Sequence, residues 1–232
     1  MRLYLIRHAQ SYNNALPDQR QRVAEPPLTA LGEQQADHLA RYLASTAEFQ
    51  DERYTFTHVY CSPMLRTLQT AQPLAAALNL LPEVWVDLHE AGGIFLEDEE
   101  GLATGFPGLR RSEIVARFPG FATGDPVSEE GWWDPVRGRE TYGDFLARAL
   151  RVWMSLRERI DAPERILLVA HGGFIDALMK AILNQLPTAP RSLFYIHNNT
   201  GITRFDFQEG LERVQLLYSN RLEHLPPTLR TH

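Results

Sequence analysis

The run Arg165-Ile166-Leu167-Leu168-Val169-Ala170 constrains this chain most. An unbroken apolar stretch this short reads as a strand covered on both faces, as in a parallel sheet between two helical layers. It stops at His171-Gly172-Gly173, and a helical pattern follows over 174–183. Other segments repeat the arrangement. Residues 2–6 lead to Arg7-His8, 58–61 lead to Ser62, and 83–87 lead to Glu90. Thr29 is a fitting N-cap for a helix over 30–45, with Leu31, Gln35, Ala36, Leu39 and Leu43 on one face. Ser62-Pro63 opens a second helix, which Pro73 is expected to kink or split. Residues 142–160 form a strongly amphipathic helix, and 201–207 with 212–218 read as a β-hairpin around 208–210. The expected fold class is α/β, a three-layer sandwich whose central sheet is mostly parallel, with helices on both faces.

With 232 residues the chain fits a single domain, 1–232, that can bury a substantial core. Residues 92–138 depart from the alternation: they hold nine of the 15 glycines, four prolines and one short helical stretch, 111–118. They also carry Phe95, Phe106, Phe118, Phe121, Trp132 and Trp133, groups that need burial. This segment reads as an irregular cap or lid inserted over a site. A net charge of −6 argues against nucleic acid as a partner, so an anionic ligand would need a local positive pocket. The single cysteine, Cys61, excludes an intramolecular disulfide and a cysteine metal cluster. No signal-peptide core and no membrane-length apolar run stands out, which makes a cytoplasmic location the expectation, with no membrane partner.

If the strands lie side by side, their ends bring Arg7, His8, Ser62, Arg66, Glu90 and His171 to one edge of the sheet, where open α/β folds bind ligands. Two arginines and two histidines around one carboxylic acid make a poor core and a good phosphate site. Each residue alone has a plainer reading: a structural histidine, a solvated helical arginine, a loop acid.

Together the segments resemble the histidine phosphatase superfamily in its phosphoglycerate mutase-like branch. Leu5-Ile6-Arg7-His8-Ala9-Gln10-Ser11 with Asn14 is similar to L-I/V-R-H-G-E-S/T-x-x-N. Pro27-Leu28-Thr29 with Gly32, Gln35 and Ala36 resembles P-L-T-x-x-G-x-x-Q-A, and Ser62 to Ala71 resembles S-x-L-x-R-A/T-x-Q-T-A. Leu88-His89-Glu90 fits L-x-E, Val169 to Gly173 fits V-A/S-H-G-G, and Asn220 with His224-Leu225 resembles a final N-x-x-x-H-L. The resemblance implies the phosphoglycerate mutase-like fold and a phosphatase, with a small-molecule phosphate ester as substrate. His8 would be the nucleophile. Arg7, Arg66 and His171 would donate to phosphoryl oxygens, with Asn14, Ser11 and Gly172 as further substrate contacts. Glu90 would be the general acid and base, since a phosphate dianion beside a carboxyl favours its protonated form. No cofactor and no metal is implied, and a homodimer is compatible with it. Ala9 and Gln10 depart from the usual glycine and glutamate. The methyl of Ala9 is tolerated if its φ is negative, and Gln10 makes the pocket one charge less negative.

Three other readings stand beside this one. His8, His89 and His171 could ligate zinc, but arginines would repel the ion, and His89 reads as a bystander. A phosphoglycerate mutase is a second reading, although the mutases' stretch after the acid resembles E-R-H-Y-G and here it is Glu90-Ala91-Gly92-Gly93-Ile94. A non-catalytic phosphoprotein-binding or regulatory module is the third, disfavoured because every site residue is present. Ser11 could equally cap a local turn. The acidic run 97–100 is expected to be a solvated loop. Trp132 and Trp133 are expected to pack the cap, while Arg110 and Arg111 are either solvated or a second anionic contact.

Overall fold

The computed structural model describes residues 1–49, 52–187, 193–208 and 213–232. In chain order the elements are β1 (Arg2–Arg7), α1 (Tyr12–Ala15), α2 (Ala30–Ser45), β2 (Ala47–Phe49), β3 (Glu52–Arg53) and β4 (His58–Cys61). Then come α3 (Leu65–Leu78), β5 (Glu83–Val84), β6 (Phe95–Glu97), β7 (Ala103–Gly105), α4 (Arg111–Arg117) and β8 (Ala122–Thr123). The last are α5 (Tyr142–Arg157), β9 (Arg165–Ala170), α6 (Gly172–Ile182), β10 (Ile202–Phe207) and β11 (Val214–Arg221).

The central sheet has seven strands in the order β11-β10-β1-β9-β4-β5-β8. The five from β1 to β8 are parallel, and β10–β11 adds an antiparallel hairpin beside β1. Side chains alternate across the sheet with the period of two that strand geometry imposes. Tyr4, Ile6, Leu167 and Val169 join the core under α2 and α3. Leu3, Leu5, Ile166, Leu168 and Ala170 join the one under α5 and α6. β9 lies between β1 and β4, which is why its sequence is apolar on both faces. Chain crossovers bring the carboxyl ends of β1, β4 and β9 to one edge. Among the described residues no helix is long and apolar enough to cross a membrane.

Several boundaries differ from the sequence reading. The segment 83–87 is strand only as far as Val84, and a 3₁₀ turn over Val86–Leu88 then redirects the chain toward Glu90. α3 begins at Leu65, two residues past Pro63, and its first N–H is capped by Glu25 Oε2 at 3.3 Å rather than by its own N-cap. Pro73 does not split α3, because Leu68, Ala71 and Leu74 around it are fully buried and hold the helix against the core. α5 ends at Arg157, and α6 starts at Gly172, so His171 is its N-cap residue. The hairpin strands form as expected, while residues 209–212 of their connection lie outside the described residues.

The segment 92–138 contains more order than its composition suggests. β6 and β7 form a small hairpin, and β8 extends the main sheet beside β5. Ile114, Phe118, Phe121 and Val127 are buried in the same core as α2 and α3. The acidic residues 97–100 are exposed.

Candidate active site

β1 ends at Arg7, and His8 follows with its N–H on the Ala170 carbonyl of β9 at 2.9 Å. The buried His8 ring is oriented from both sides. Nδ1 lies 2.7 Å from the Ala9 carbonyl, and Nε2 accepts from Arg66 Nε at 3.2 Å. A carbonyl can only accept, so Nδ1 carries the ring proton and Nε2 presents its lone pair. Burial first, then the neighbouring Arg66 and Arg7 charges, hold His8 well below the ordinary histidine pKa. The ring is a neutral imidazole whose unprotonated Nε2 is turned to Arg66.

His171, at the end of β9, sits with its ring centroid 5.1 Å from that of His8. Its Nε2 lies 2.9 Å from Ser62 Oγ, at the end of β4. Burial, followed by Arg66 and His8, pushes its pKa well down as well. Arg7 donates from Nη1 to the His197 carbonyl at 2.6 Å. Two buried nitrogens of this pocket, Arg7 Nε and His171 Nδ1, have no hydrogen-bond partner among the described residues. Buried polar nitrogens without partners are costly, so the pair is a place where added hydrogen-bonding groups would be stabilised.

Glu90 closes the opposite side. Its Oε1 accepts from Ala91 N–H at 2.8 Å and Phe174 N–H at 2.9 Å, and its Oε2 from Gly173 N–H at 3.2 Å. The start of α6 therefore fixes the carboxylate, and a Cβ on Gly173 would meet Oε1 at 2.7 Å. The Glu90 charge acts on both Arg7 and Arg66.

The remaining residues singled out from sequence fall as follows. Asn14 Oδ1 accepts from Ser11 N–H, Ser11 Oγ and Asn199 Nδ2. Ser11 is buried and caps α1 through this exchange, the turn-capping role that its sequence also allowed. Gly172 lies against the Arg7 side chain. Ala9 does not appear among the positive-φ residues, so its methyl is accommodated. Gln10 Oε1 accepts from Thr29 Oγ1 at 2.7 Å and so serves the α2 cap. Gly32 follows from the same contact, since a Cβ there would meet the Gln10 carbonyl oxygen at 2.1 Å. His89 packs its ring against Trp132 and Trp133 and makes a hydrogen bond to the Glu90 carbonyl. Arg111 donates to the Val127 carbonyl, and Arg110 is exposed.

Residues that sequence reasoning passed over hold the site in place. Asn199 Nδ2 donates to the His8 carbonyl at 2.9 Å, and Thr70 Oγ1 accepts from Ala9 N–H at 3.0 Å. Arg148, 1% exposed, pairs with Glu140 and donates to the carbonyls of Asp87, His89 and Glu90. Glu25 acts electrostatically on Arg66, and its buried Oε1 has no hydrogen-bond partner among the described residues.

Burial raises the Glu25 carboxyl to about 7, against the opposing pull of Arg66. A folded-state value above the unfolded one means that the native protein binds the extra proton between pH 4.5 and about 7. This contribution to stability is complete below pH 4.5 and is lost as pH rises through about 7. Glu25→Gln, which keeps the cap on Leu65, is therefore expected to stabilise the protein by about 1–3 kcal/mol at pH 8 and leave it unchanged at pH 4.5. Urea unfolding of both proteins across this range checks the sign. Equal stability at pH 8 would show that the carboxylate is not strained by its burial.

A family model described as histidine phosphatase superfamily (branch 1) matches residues 3–220. The chain belongs to this superfamily. Its phosphoglycerate mutase-like character also shows in a curated relative, a probable phosphoglycerate mutase of Yersinia enterocolitica. That protein is 28% identical over 213 residues, which cover 90% of this chain and 86% of the relative. Among solved structures, a mycobacterial glucosyl-3-phosphoglycerate phosphatase in complex with VO₃ superposes with a TM-score of 0.61 at 25% identity, covering 95% of this chain and 99% of that one. The α-ribazole phosphatase of Shigella flexneri shares the fold, with a TM-score of 0.63 at 20% identity over 95% of this chain and 96% of the other. The seven-stranded, mostly parallel sheet is thus the α/β fold of phosphoglycerate mutase-like histidine phosphatases.

Proposed function

We propose that this member of the superfamily is a metal-independent phosphomonoester hydrolase that acts on a small phosphorylated metabolite through a phosphohistidine intermediate. The observation that carries the reading is the pairing of a neutral His8 with unpartnered buried nitrogens. The Nε2 lone pair, held by Arg66 Nε in the resting protein, belongs to a pocket in which Arg7 Nε and His171 Nδ1 lack partners among the described residues.

His8 Nε2 attacks phosphorus as the ester P–O bond breaks, and Glu90 gives its proton to the departing alcohol oxygen. The Nδ1–H bond to the Ala9 carbonyl steadies the positive charge of the phosphorylated ring. Arg7, Arg66, His171 and the NH₂ of Asn14 donate to the non-bridging oxygens, the charge stabilisation on which phosphoryl transfer chiefly depends. Water then gives a proton to Glu90 and attacks phosphorus. The P–N bond breaks, and inorganic phosphate leaves. Ser11 is left out of this set because its hydroxyl is engaged in the α1 cap.

The metal-independent reading rests on the Arg66 and Arg7 charges beside His8, which would repel a metal cation. Residues 92–138 would act as the cap that selects the alcohol. A cavity of about 470 Å³ between the starts of α5 and α6 shares Ala91 and Gly173 with the Glu90 turn and is lined by Phe145, Leu146 and Phe194. Esters with apolar alcohols therefore belong in the substrate panel beside phosphoglycerates and sugar phosphates.

Incubation with this panel in excess chelator tests the function, and activity lost with chelator would overturn the reading. Glu90→Gln is expected to slow alkyl phosphates by about 10²–10⁴-fold, and aryl phosphates, whose leaving groups need no proton, much less. Equal losses on both would remove the acid role. The description of the Yersinia relative favours a second reading, phosphoglycerate mutase. Conversion of 3-phosphoglycerate to 2-phosphoglycerate would promote it.

A further inference from the structure

Ser62 has no part in the chemistry just described, yet the surrounding protein fixes it on every side. It is fully buried at the end of β4. Its N–H donates to the Val169 carbonyl at 3.1 Å, and its own carbonyl accepts from Thr67 Oγ1 at 2.8 Å, so the backbone cannot turn. The hydroxyl oxygen has two neighbours, Met64 N–H at 3.3 Å and His171 Nε2 at 2.9 Å.

The protons of this cluster can be assigned by counting. A hydroxyl carries one proton, and Met64 N–H can only donate to the oxygen. The hydroxyl proton must then go to an acceptor, and among the described residues His171 Nε2 is the one within reach. The reverse arrangement, with Nε2–H donating to Oγ, would strand the hydroxyl proton in a site closed to water. A neutral imidazole has one ring proton, so a ring that accepts at Nε2 bears its proton at Nδ1. Among the described residues His171 Nδ1 has no hydrogen-bond partner, and neither has the buried Arg7 Nε.

We propose that Ser62 is a positioning residue that fixes His171 as its Nδ1–H tautomer, so that the ring meets a phosphoryl oxygen with a donor and not with a lone pair. The other tautomer would set lone pair against anion and turn a stabilising contact into a repulsive one. Ser62 thereby does for His171 what the Ala9 carbonyl does for His8. The two rings end in opposite roles, one presenting a lone pair to phosphorus and the other a proton to oxygen. The contribution to catalysis rests on the phosphatase reading above, while the tautomer itself does not.

Imidazole ¹⁵N spectra of the resting protein test this directly, with the His171 signals assigned by their loss in His171→Asn. The expected pattern is a protonated Nδ1 and an unprotonated Nε2 at neutral pH. A protonated Nε2 would overturn the proposal without any variant of Ser62. In Ser62→Ala the His171 pattern is expected to become a mixture of tautomers. Inorganic phosphate should bind roughly tenfold more weakly, with the fold retained by circular dichroism. Unchanged tautomer and unchanged phosphate affinity in that variant would also overturn it. A wild-type protein inactive on every ester, but showing the Nδ1–H pattern, would sink the phosphatase reading and leave the tautomer assignment standing.

Discussion

Replacing His8 by alanine is expected to reduce ester hydrolysis by on the order of 10⁴–10⁶-fold, the range seen when a covalent nucleophile is removed. The wild-type protein, quenched in base during turnover of a ³²P-labelled ester, should retain label that acid releases, as a phosphoramidate does. His8→Ala should retain none. The ring is prepared for attack before substrate arrives, because its proton is committed to the Ala9 carbonyl and its burial keeps it neutral. Acidifying the free protein from pH 7 to 6 should therefore leave the nucleophile in its reactive form. Substantial hydrolysis by His8→Ala would require another nucleophile and would defeat the mechanism.

Arg148→Met is expected to cost about 3–5 kcal/mol of stability, read as a shift in the urea midpoint. Arg148 and Glu140 are both nearly inaccessible, with Nη2 2.7 Å from Oε2. Removing one partner leaves the other as an uncompensated buried charge. The same guanidinium holds the carbonyls of Asp87 and His89 at 2.7 and 2.8 Å. These belong to the turn that presents Glu90. The double variant Arg148→Met/Glu140→Leu separates the two effects. It should regain most of the lost stability, since no lone charge remains, yet stay poor on alkyl phosphates because nothing anchors the Glu90 turn. Full recovery of activity in the double variant would show that the turn holds itself.

The parts of the site that could be read from sequence share a physical cause. A strand covered on both faces seldom carries charged groups, so an apolar run that stops at Arg7-His8, Ser62 or His171 places those residues at an edge of the sheet. Glu90 was legible for the same reason, although its strand is shorter than its apolar pattern. The supporting residues carry no such mark. Arg148 sits in an amphipathic helix where a solvated arginine is the ordinary expectation, and its carbonyl partners lie about sixty residues earlier. Asn199 reaches back 191 residues to the His8 carbonyl. Pro73 predicted a break that the core around α3 prevents, because packing outweighs the loss of one helical donor.

By itself the sequence determined the layered α/β architecture and the set of side chains gathered at the strand ends. Both follow from local rules, the period of apolar residues and the exclusion of charge from a covered strand. Only the tertiary structure decided which ring nitrogen of His8 is unprotonated, how α6 grips Glu90 and which buried charge pair steadies the turn beneath it. Those features depend on hydrogen bonds between segments far apart in the chain, whose partners exist only once the sheet has brought them together.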